Sequence, residues 1–370
     1  VEFSSNELKR YDRQIKLAEF GPQRQKLLKS ARVLIAGAGG LGNPIGLYLA
    51  GAGVGTIGVV DFDVIDISNL HRQVAFKTKQ AGHPKVGELI SAMTELNSDS
   101  RYVAHNLRIS AENVRDLVKN YDLVIDGTDV FNARYLLADA CFLEKIVLLH
   151  GAVFKFDAQI LLLDMNDGNA PCFRCLYPAA PGEEALPACN ETGILNTVTG
   201  AVGLMMAGEA IKFITGLETP SKRSLLKYDA LNQSIKKLKL KKDASCPLCG
   251  DAPSISDVQD LPGACEPVGL AELSWPEADR LVEAGAQLID VREESEIAEG
   301  MVPNAISIPL GQISEKSLKR FGDHTTVIFY CRTGKRSQKA VELCALMERE
   351  SYSIAGGITA WAGKVATARN

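Results

Sequence analysis

Ala31-Arg-Val-Leu-Ile-Ala-Gly-Ala-Gly-Gly-Leu-Gly42, followed about twenty residues later by Ile57-Gly-Val-Val-Asp61, decides how the chain is read. Val33 to Ala36 is a short aliphatic run that predicts a strand. Gly37, Gly39, Gly40 and Gly42 predict a tight turn, and Pro44 to Leu49 the start of a helix. In such a unit the glycines let the backbone approach a phosphate, the helix N-terminus favours its charge, and Asp61 can accept hydrogen bonds from a ribose. A nucleotide site is the first expectation. No charged residue lies between Arg32 and Asp61, a length that could cross a bilayer. Nine glycines and Pro44 inside that span, and Asp61 with Asp63 at its end, weigh against a membrane segment. This stretch alone fits a dinucleotide and ATP equally, because Rossmann-type loops also accept NAD, FAD or SAM.

At 370 residues the chain has room for two or three domains. A net charge of −4 with both signs abundant gives no broad basic surface, so direct nucleic-acid binding is not expected. Without an evident signal peptide or uninterrupted membrane span, the expected location is the cytoplasm. Nine unevenly spaced cysteines argue for reduced thiols used in metal binding or chemistry rather than a disulfide framework.

Asn6 to Lys29 is polar and helix-prone, and by itself reads as a solvated face. After the polar stretch Asp66 to Gln73, a helix is expected from about Val86 to Asn97. Buried-type strands follow at Tyr121 to Asp129 and Ile146 to Gly151, with a helix between them. This alternation predicts a mostly parallel α/β sheet with Gly39, Asp61 and Asp129 at its carboxyl ends, where ligands bind. Extended segments are expected at Ala158 to Leu163 and Leu225 to Leu240, and an apolar helix at Val202 to Ile214. The lysine-rich run Lys236 to Lys242 alternates like a half-exposed strand. Asp251 to Pro267 reads as a linker, after which a smaller α/β pattern restarts: Leu288 to Arg292, Ala305 to Pro309, Thr326 to Tyr330, a helix from Ser337 to Glu350, and Tyr352 to Ile354.

Three cysteine settings carry chemistry. Cys172-Phe-Arg-Cys175 and Cys246-Pro-Leu-Cys249 match the knuckles of a Cys₄ structural zinc site. In Phe329-Tyr-Cys-Arg-Thr-Gly-Lys-Arg-Ser337 a cysteine sits between a buried strand and a helix, beside Arg332, Lys335 and Arg336. Backbone N–H groups, the helix end and these cations are expected to favour a thiolate or persulfide at Cys331. The Cys-x₅-Arg phosphatase spacing is not met, because the position it requires is Ser337. Cys189, in a stretch of small residues, reads either as an accessible nucleophile or as a tolerated small side chain. Cys141, Cys265 and Cys344 read as packing or surface residues.

Taken together, Arg10-Tyr-Asp-Arg-Gln-Ile15, the glycine turn, Asp61-Phe-Asp63, Ser68-Asn-Leu-His-Arg-Gln73, Pro84-Lys85, Thr128-Asp129, both cysteine pairs and the Cys331 loop resemble the MoeB/ThiF family of ubiquitin-activating-like adenylyltransferases. The C-terminal half resembles the rhodanese domain fused to such enzymes in MoeZ and the eukaryotic molybdopterin-synthase sulfurylases. The resemblance implies a Rossmann-like adenylation domain at 1–250 with a Cys₄ zinc site, a linker at 251–267 and a rhodanese domain at 268–370. It shifts the ligand from a dinucleotide to ATP with Mg²⁺. It implies that Asp61 holds the ribose, that Gly40, Ser68 and Asn69 line the nucleotide site together with Leu70, His71 and Val130, and that Arg72 and Lys85 meet the phosphates. Asp129 would bind Mg²⁺, and Arg13 would reach into the site of the other subunit of a homodimer.

The implied substrate is the C-terminal carboxylate of a small ubiquitin-like sulfur carrier ending in Gly-Gly. Cys331 would carry persulfide sulfur from a donor such as a cysteine desulfurase, with Cys189 the acyl- or disulfide-forming cysteine. Sulfur would pass to molybdenum cofactor or tRNA thiolation. Three positions depart from the family pattern: Val130 in place of Asn, Asn190-Glu-Thr-Gly193 in place of Ala-Glu-Gly-Gly, and Met301 in place of His. A non-catalytic scaffold and a nicotinamide oxidoreductase are the competing readings, disfavoured by Arg13, Arg72, Lys85 and Asp129.

Overall fold

A computed structural model describes residues 2–179, 193–261, 272–298, 300–322, 325–345 and 349–363. The chain divides into two compact units, Val1–Cys265 and Glu266–Asn370.

The first unit is built on an eight-stranded sheet. Its strands are β1 (Arg32–Ala36), β2 (Thr56–Val60), β3 (Arg101–His105), β4 (Leu123–Asp126), β5 (Val147–Phe154), β6 (Asp157–Leu163), β7 (Ser224–Asp229) and β8 (Ser234–Lys239). They lie in the order β3-β2-β1-β4-β5-β6-β7-β8. The five from β3 to β5 are parallel; β6, β7 and β8 add antiparallel. The strands from β1 outward wind one way through β2 and the other way through β4. The crevice between β1 and β4 is therefore the switch point at which such sheets bind ligands.

Strand β1 has the composition of a centre strand: Val33, Leu34, Ile35 and Ala36 are fully buried and contribute alternately to the clusters on the two faces of the sheet. On one face lie the Gly42–Ala52, Lys85–Leu96 and Asn196–Ile214 helices. On the other lie Val114–Val118 and Phe131–Leu143. Asn196–Ile214 is apolar and long enough to cross a membrane by composition, but Val198, Val202, Met206 and Ala210 are buried in the core.

The structure extends several expectations. The helix expected from Val202 starts at Asn196, the extended run 225–240 is the β7–β8 hairpin, and β3 is an additional half-exposed edge strand. Part of the expected linker belongs to the first unit's fold. Val258 is buried, Asp257 pairs with Arg115 at 3.0 Å, and Asp260 accepts from Asn132 Nδ2 at 2.8 Å.

The second unit has a five-stranded parallel sheet in the order β11-β10-β12-β13-β9. These strands are β9 (Glu272–Leu273), β10 (Gln287–Asp290), β11 (Ile306–Ser307), β12 (Val327–Tyr330) and β13 (Ser351–Ile354). The helix expected from Ser337 starts at Lys335. Trp275, Tyr330 and Ile354 are buried on one face, with Met301 packed against them; Phe329, Val341 and Cys344 are buried on the other. Cys141 and Cys344 are buried, as packing residues should be, while Cys265 lies outside the described residues.

Candidate active site

The crevice is framed by loops that leave the carboxyl ends of β1, β2 and β4. The β1 turn and the β4 turn touch: a Cβ on Gly37 would lie 3.1 Å from the Gly127 carbonyl oxygen. Gly42 opens the helix, and a Cβ there would fall 1.9 Å from the Gly37 carbonyl oxygen, so no other residue fits without moving backbone. We expect Gly42→Ala to destabilise the unit by about 1–3 kcal/mol. Thermal melting would show this as a fall of roughly 2–4 °C per kcal/mol, with nucleotide affinity lost alongside. Gly40 rests against Thr199 of the Asn196–Ile214 helix, 3.2 Å from a Cβ position to the threonine Cβ.

Asp61, one residue past β2, accepts from Ala38 N–H at 2.7 Å and from Asp63 N–H at 2.8 Å. Burial pushes its carboxyl above the usual value, against the opposing pull of Lys85. Its bond to Ala38 fixes the turn relative to β2. Lys85, 6% exposed, bonds to Asp63 Oδ2 at 2.9 Å, so the cation expected at the phosphates is held by a neighbouring carboxylate.

The 66–73 segment opens on a one-turn 3₁₀ helix, Ile67–Asn69, capped by Asp66, which accepts from the backbone N–H of Ser68 at 2.8 Å and from its hydroxyl at 2.5 Å. The Asn69 carbonyl accepts from Arg72 N–H, and Leu70 packs against the core. Arg72 Nη1 lies 3.2 Å from the Ser68 carbonyl and 2.9 Å from His71 Nε2. Asn196 Nδ2 donates to the His71 carbonyl at 3.0 Å and ties this segment to the long helix.

At the end of β4, Asp126 is fully buried. It accepts from Thr128 N–H at 2.9 Å, Thr128 Oγ1 at 2.7 Å and His150 Nδ1 at 2.7 Å. Burial would raise its carboxyl, but these partners, His150 first, hold it below the usual value. The Thr128 carbonyl accepts from Arg134 Nε and Nη2 at 3.0 and 2.8 Å. The locked turn presents Asp129, which is exposed and bonded to no described residue. Val130 beside it is 52% exposed.

Arg13 is also exposed, but not at this crevice. Its neighbour Gln14 donates to the Ala52 carbonyl at 3.2 Å, at the far end of the Gly42–Ala52 helix. That helix is about 15 Å long at 1.5 Å per residue.

Cys172, Cys175, Cys246 and Cys249 converge, their sulfurs all within 4.8 Å of one another and with contacts of 3.3, 3.5 and 3.9 Å. Metal–sulfur bonds of about 2.3 Å in a tetrahedron give an S···S edge of roughly 3.8 Å, so the cluster has the dimensions of a closed metal site. Burial drives Cys172 far up and Cys249 up to about 12. Burial also pushes on Cys246, but N–H groups of Cys249 and Leu248 outweigh it and hold that thiol below its usual value. Four thiolates this close need a compensating cation.

In the second unit, Cys331 follows β12 and is 1% exposed. Its sulfur accepts from Gly334 N–H at 3.2 Å, and Ser337 Oγ lies 3.8 Å away. Gly334 has φ +101°, a conformation that suits glycine. The Cys331 carbonyl is in turn held by Ile358 N–H at 2.8 Å.

The expected ring of cations is only partly built. Arg336 is engaged by Glu296 in a fork of 2.6 and 2.7 Å, and the guanidinium pulls the Glu296 carboxyl down to about 2. Arg332 is exposed, and the Lys335 side chain and Cys189 lie outside the described set. Glu296, Asp63, Asp126 and Thr199 are site residues that the sequence reading did not assign. Of these, the Asp61-x-Asp63 spacing was the available signal.

Comparison with known proteins follows the same division. Residues 11–248 match the ThiF family and residues 274–364 the rhodanese-like domain. An adenylyltransferase and sulfurtransferase MOCS3 from Aedes aegypti is 35% identical over 385 residues, covering 97% of this chain and 87% of the relative. A sulfur carrier protein adenylyltransferase from Thermus thermophilus is 40% identical over 268 residues, covering 72% of this chain and 99% of the relative. Among solved structures, E. coli MccB with ATP shares the fold at a TM-score of 0.59 and 23% identity, over 67% of this chain and 75% of its own.

Proposed function

We propose, from the premise that the chain belongs to the ThiF family and continues into a rhodanese-like domain, that its β1–β4 crevice is the site at which a carrier's carboxylate is activated by ATP. The chain is an adenylyltransferase and sulfurtransferase acting on a small ubiquitin-like sulfur carrier. The observation that supports this use of the crevice is the convergence of the glycine turn, Asp61 and the Asp126-locked turn bearing Asp129 at one switch point.

In the first step the carrier's terminal carboxylate oxygen bonds to the α-phosphorus of ATP. The bond from that phosphorus to the bridging oxygen breaks, and pyrophosphate leaves. The protein's contribution is to place two anions together and balance the charge that develops. Asp61 accepts from the ribose; the Gly40 turn, Ser68, Asn69, Leu70, His71 and Val130 line the nucleotide. Lys85 and Arg72 face the phosphates, with Lys85 drawn from Asp63. Asp129 would hold Mg²⁺, which would supply positive charge beside the phosphates. Arg13, remote from its own crevice, serves that of a second copy in a homodimer.

In the second step a persulfide on Cys331, received from a donor such as a cysteine desulfurase, attacks the acyl carbon and AMP departs with the C–O electron pair. A thiolate, Cys189 in this reading, then attacks the Cys331 sulfur of the acyl disulfide. This forms a Cys189–Cys331 disulfide and frees the carrier thiocarboxylate; a cellular thiol must reduce the disulfide before the next turnover. The sulfur serves molybdenum cofactor synthesis or tRNA thiolation, in the cytoplasm.

The four cysteines would hold structural zinc, which would join the Cys246–Cys249 turn to the Cys172–Cys175 turn. Purified chain should carry stoichiometric zinc, and Cys246→Ser or a strong chelator should remove it and lower the melting temperature. Unchanged metal content in Cys246→Ser would contradict the site. The function itself is tested by exchange of labelled pyrophosphate into ATP. Exchange should depend on a Gly-Gly-tailed carrier; its absence in folded protein that binds carrier would support a scaffold.

A further inference from the structure

The last rung of the β4–β5 ladder pairs Asp126 with His150, and neither side chain reaches solvent: Asp126 is fully buried and His150 is 1% exposed. The rungs before it are Leu123 with Val147, Val124 with Leu148 and Ile125 with Leu149, all apolar. An ionisable pair at this depth is costly, and two aliphatic side chains would close the ladder as the earlier rungs do. The pair is thus poorly explained by the needs of the sheet alone.

Its bonds run toward the crevice. Asp126 divides its carboxylate: Oδ1 takes the N–H and the hydroxyl of Thr128 at 2.9 and 2.7 Å, and Oδ2 takes His150 Nδ1 at 2.7 Å. A carboxylate oxygen only accepts, so Nδ1 carries the proton. The imidazole is itself fixed, its ring 5.1 Å from that of buried Phe173 and inclined to it at 69°. Phe173 also meets Tyr135 edge-on at 5.3 Å, on the helix that follows the turn. Tying Oδ2 sets the plane of the carboxylate, and with it the direction in which Oδ1 holds Thr128. Asp129, the next residue, is exposed and bonded to no described residue, so its direction comes from the backbone beneath it. We propose that His150 is a positioning residue for carboxylate activation, acting through Asp126 to hold the Thr128–Asp129 turn in the orientation that receives the nucleotide's metal ion. The inference rests on the ATP reading of the crevice.

The test uses the full-length chain carrying His150→Phe, which keeps a ring against Phe173 but has no donor, or His150→Asn, whose amide can replace Nδ1. His150→Phe is also combined with Asp129→Ala. Carrier-dependent exchange is measured at saturating Mg-ATP, Mn²⁺ is titrated in the presence of ATP, and melting is followed without nucleotide. In His150→Phe, kcat and Mn²⁺ affinity should each fall about ten-fold, the scale for groups that orient a metal ligand, with KM for carrier unchanged. His150→Asn should recover most of both, and both variants should stay folded at the assay temperature. On the Asp129→Ala background His150→Phe should lose nothing further, because both changes act on one carboxylate.

Wild-type kcat and Mn²⁺ affinity in His150→Phe would overturn the proposal. So would an undiminished loss on the Asp129→Ala background, equal losses in His150→Asn and His150→Phe, or a His150→Phe chain that does not fold, each of which would make the imidazole a packing element. If Asp129→Ala itself exchanges and binds Mn²⁺ normally, the reading of Asp129 fails and this role with it. An impaired Asp129→Ala beside an unaffected His150→Phe removes this role alone.

Discussion

Cys331→Ala is expected to abolish sulfur transfer to the carrier, by about three orders of magnitude or more, while ATP–pyrophosphate exchange continues at the wild-type rate. The separation follows from where the two chemistries sit. Cys331 belongs to a loop closed on itself in the second unit, with its sulfur facing Gly334 N–H and its carbonyl held by Ile358 N–H. The groups proposed for adenylation all lie in the first unit, and all but Arg13 follow the ends of β1, β2 and β4. Removing one sulfur atom leaves packing nearly unchanged, because alanine fits the space of a buried cysteine with only a small void. Carrier mass spectrometry and isotope exchange on the same preparation check it. Equal loss in both assays would contradict the division of labour.

Asp129→Ala should lower exchange by about 10²–10³-fold, the scale on which a charge-stabilising group at a transferring phosphoryl acts. The carboxylate is exposed and engages no described residue, so its removal should leave the melting temperature within error. Its placement comes from Asp126 beneath it, which takes both the N–H and the hydroxyl of Thr128. A rate lost without stability would identify Asp129 as part of the chemistry. Near-normal exchange at saturating Mg²⁺ would remove it from that role.

The parts of this site that were legible in the sequence are those whose backbone requirements are local. The Val33–Ala36 run is buried on both faces and could only be a centre strand, and the glycine turn that follows has no room for a side chain at Gly42. The paired Cys-x-x-Cys spacing likewise carries its own geometry, and the four sulfurs meet.

What was not legible depends on partners distant in sequence. The Asn196–Ile214 helix begins earlier than its apolar periodicity because its first turns serve the crevice: Asn196 bonds to His71 and Thr199 backs Gly40. Arg336 reads as a free cation near Cys331 until Glu296, forty residues earlier, is seen to engage it. β3 escaped because only partial burial marks an edge strand, and its Arg101 and His105 blur the alternation. The small polar residues after Asp251 have a linker's composition, yet Asp257 and Asp260 pair with Arg115 and Asn132.

The central claim is that carboxylate activation by ATP precedes sulfur delivery from Cys331. It is tested most directly by the intact mass of a Gly-Gly-tailed carrier after incubation with the chain, Mg-ATP and a persulfide donor. The account predicts replacement of one carrier oxygen by sulfur, accompanied by an equivalent of AMP and absent when ATP is withheld. Sulfur appearing on the carrier without ATP, or AMP formed with no carrier-linked acyl adenylate ever detectable in Cys331→Ala, would contradict it.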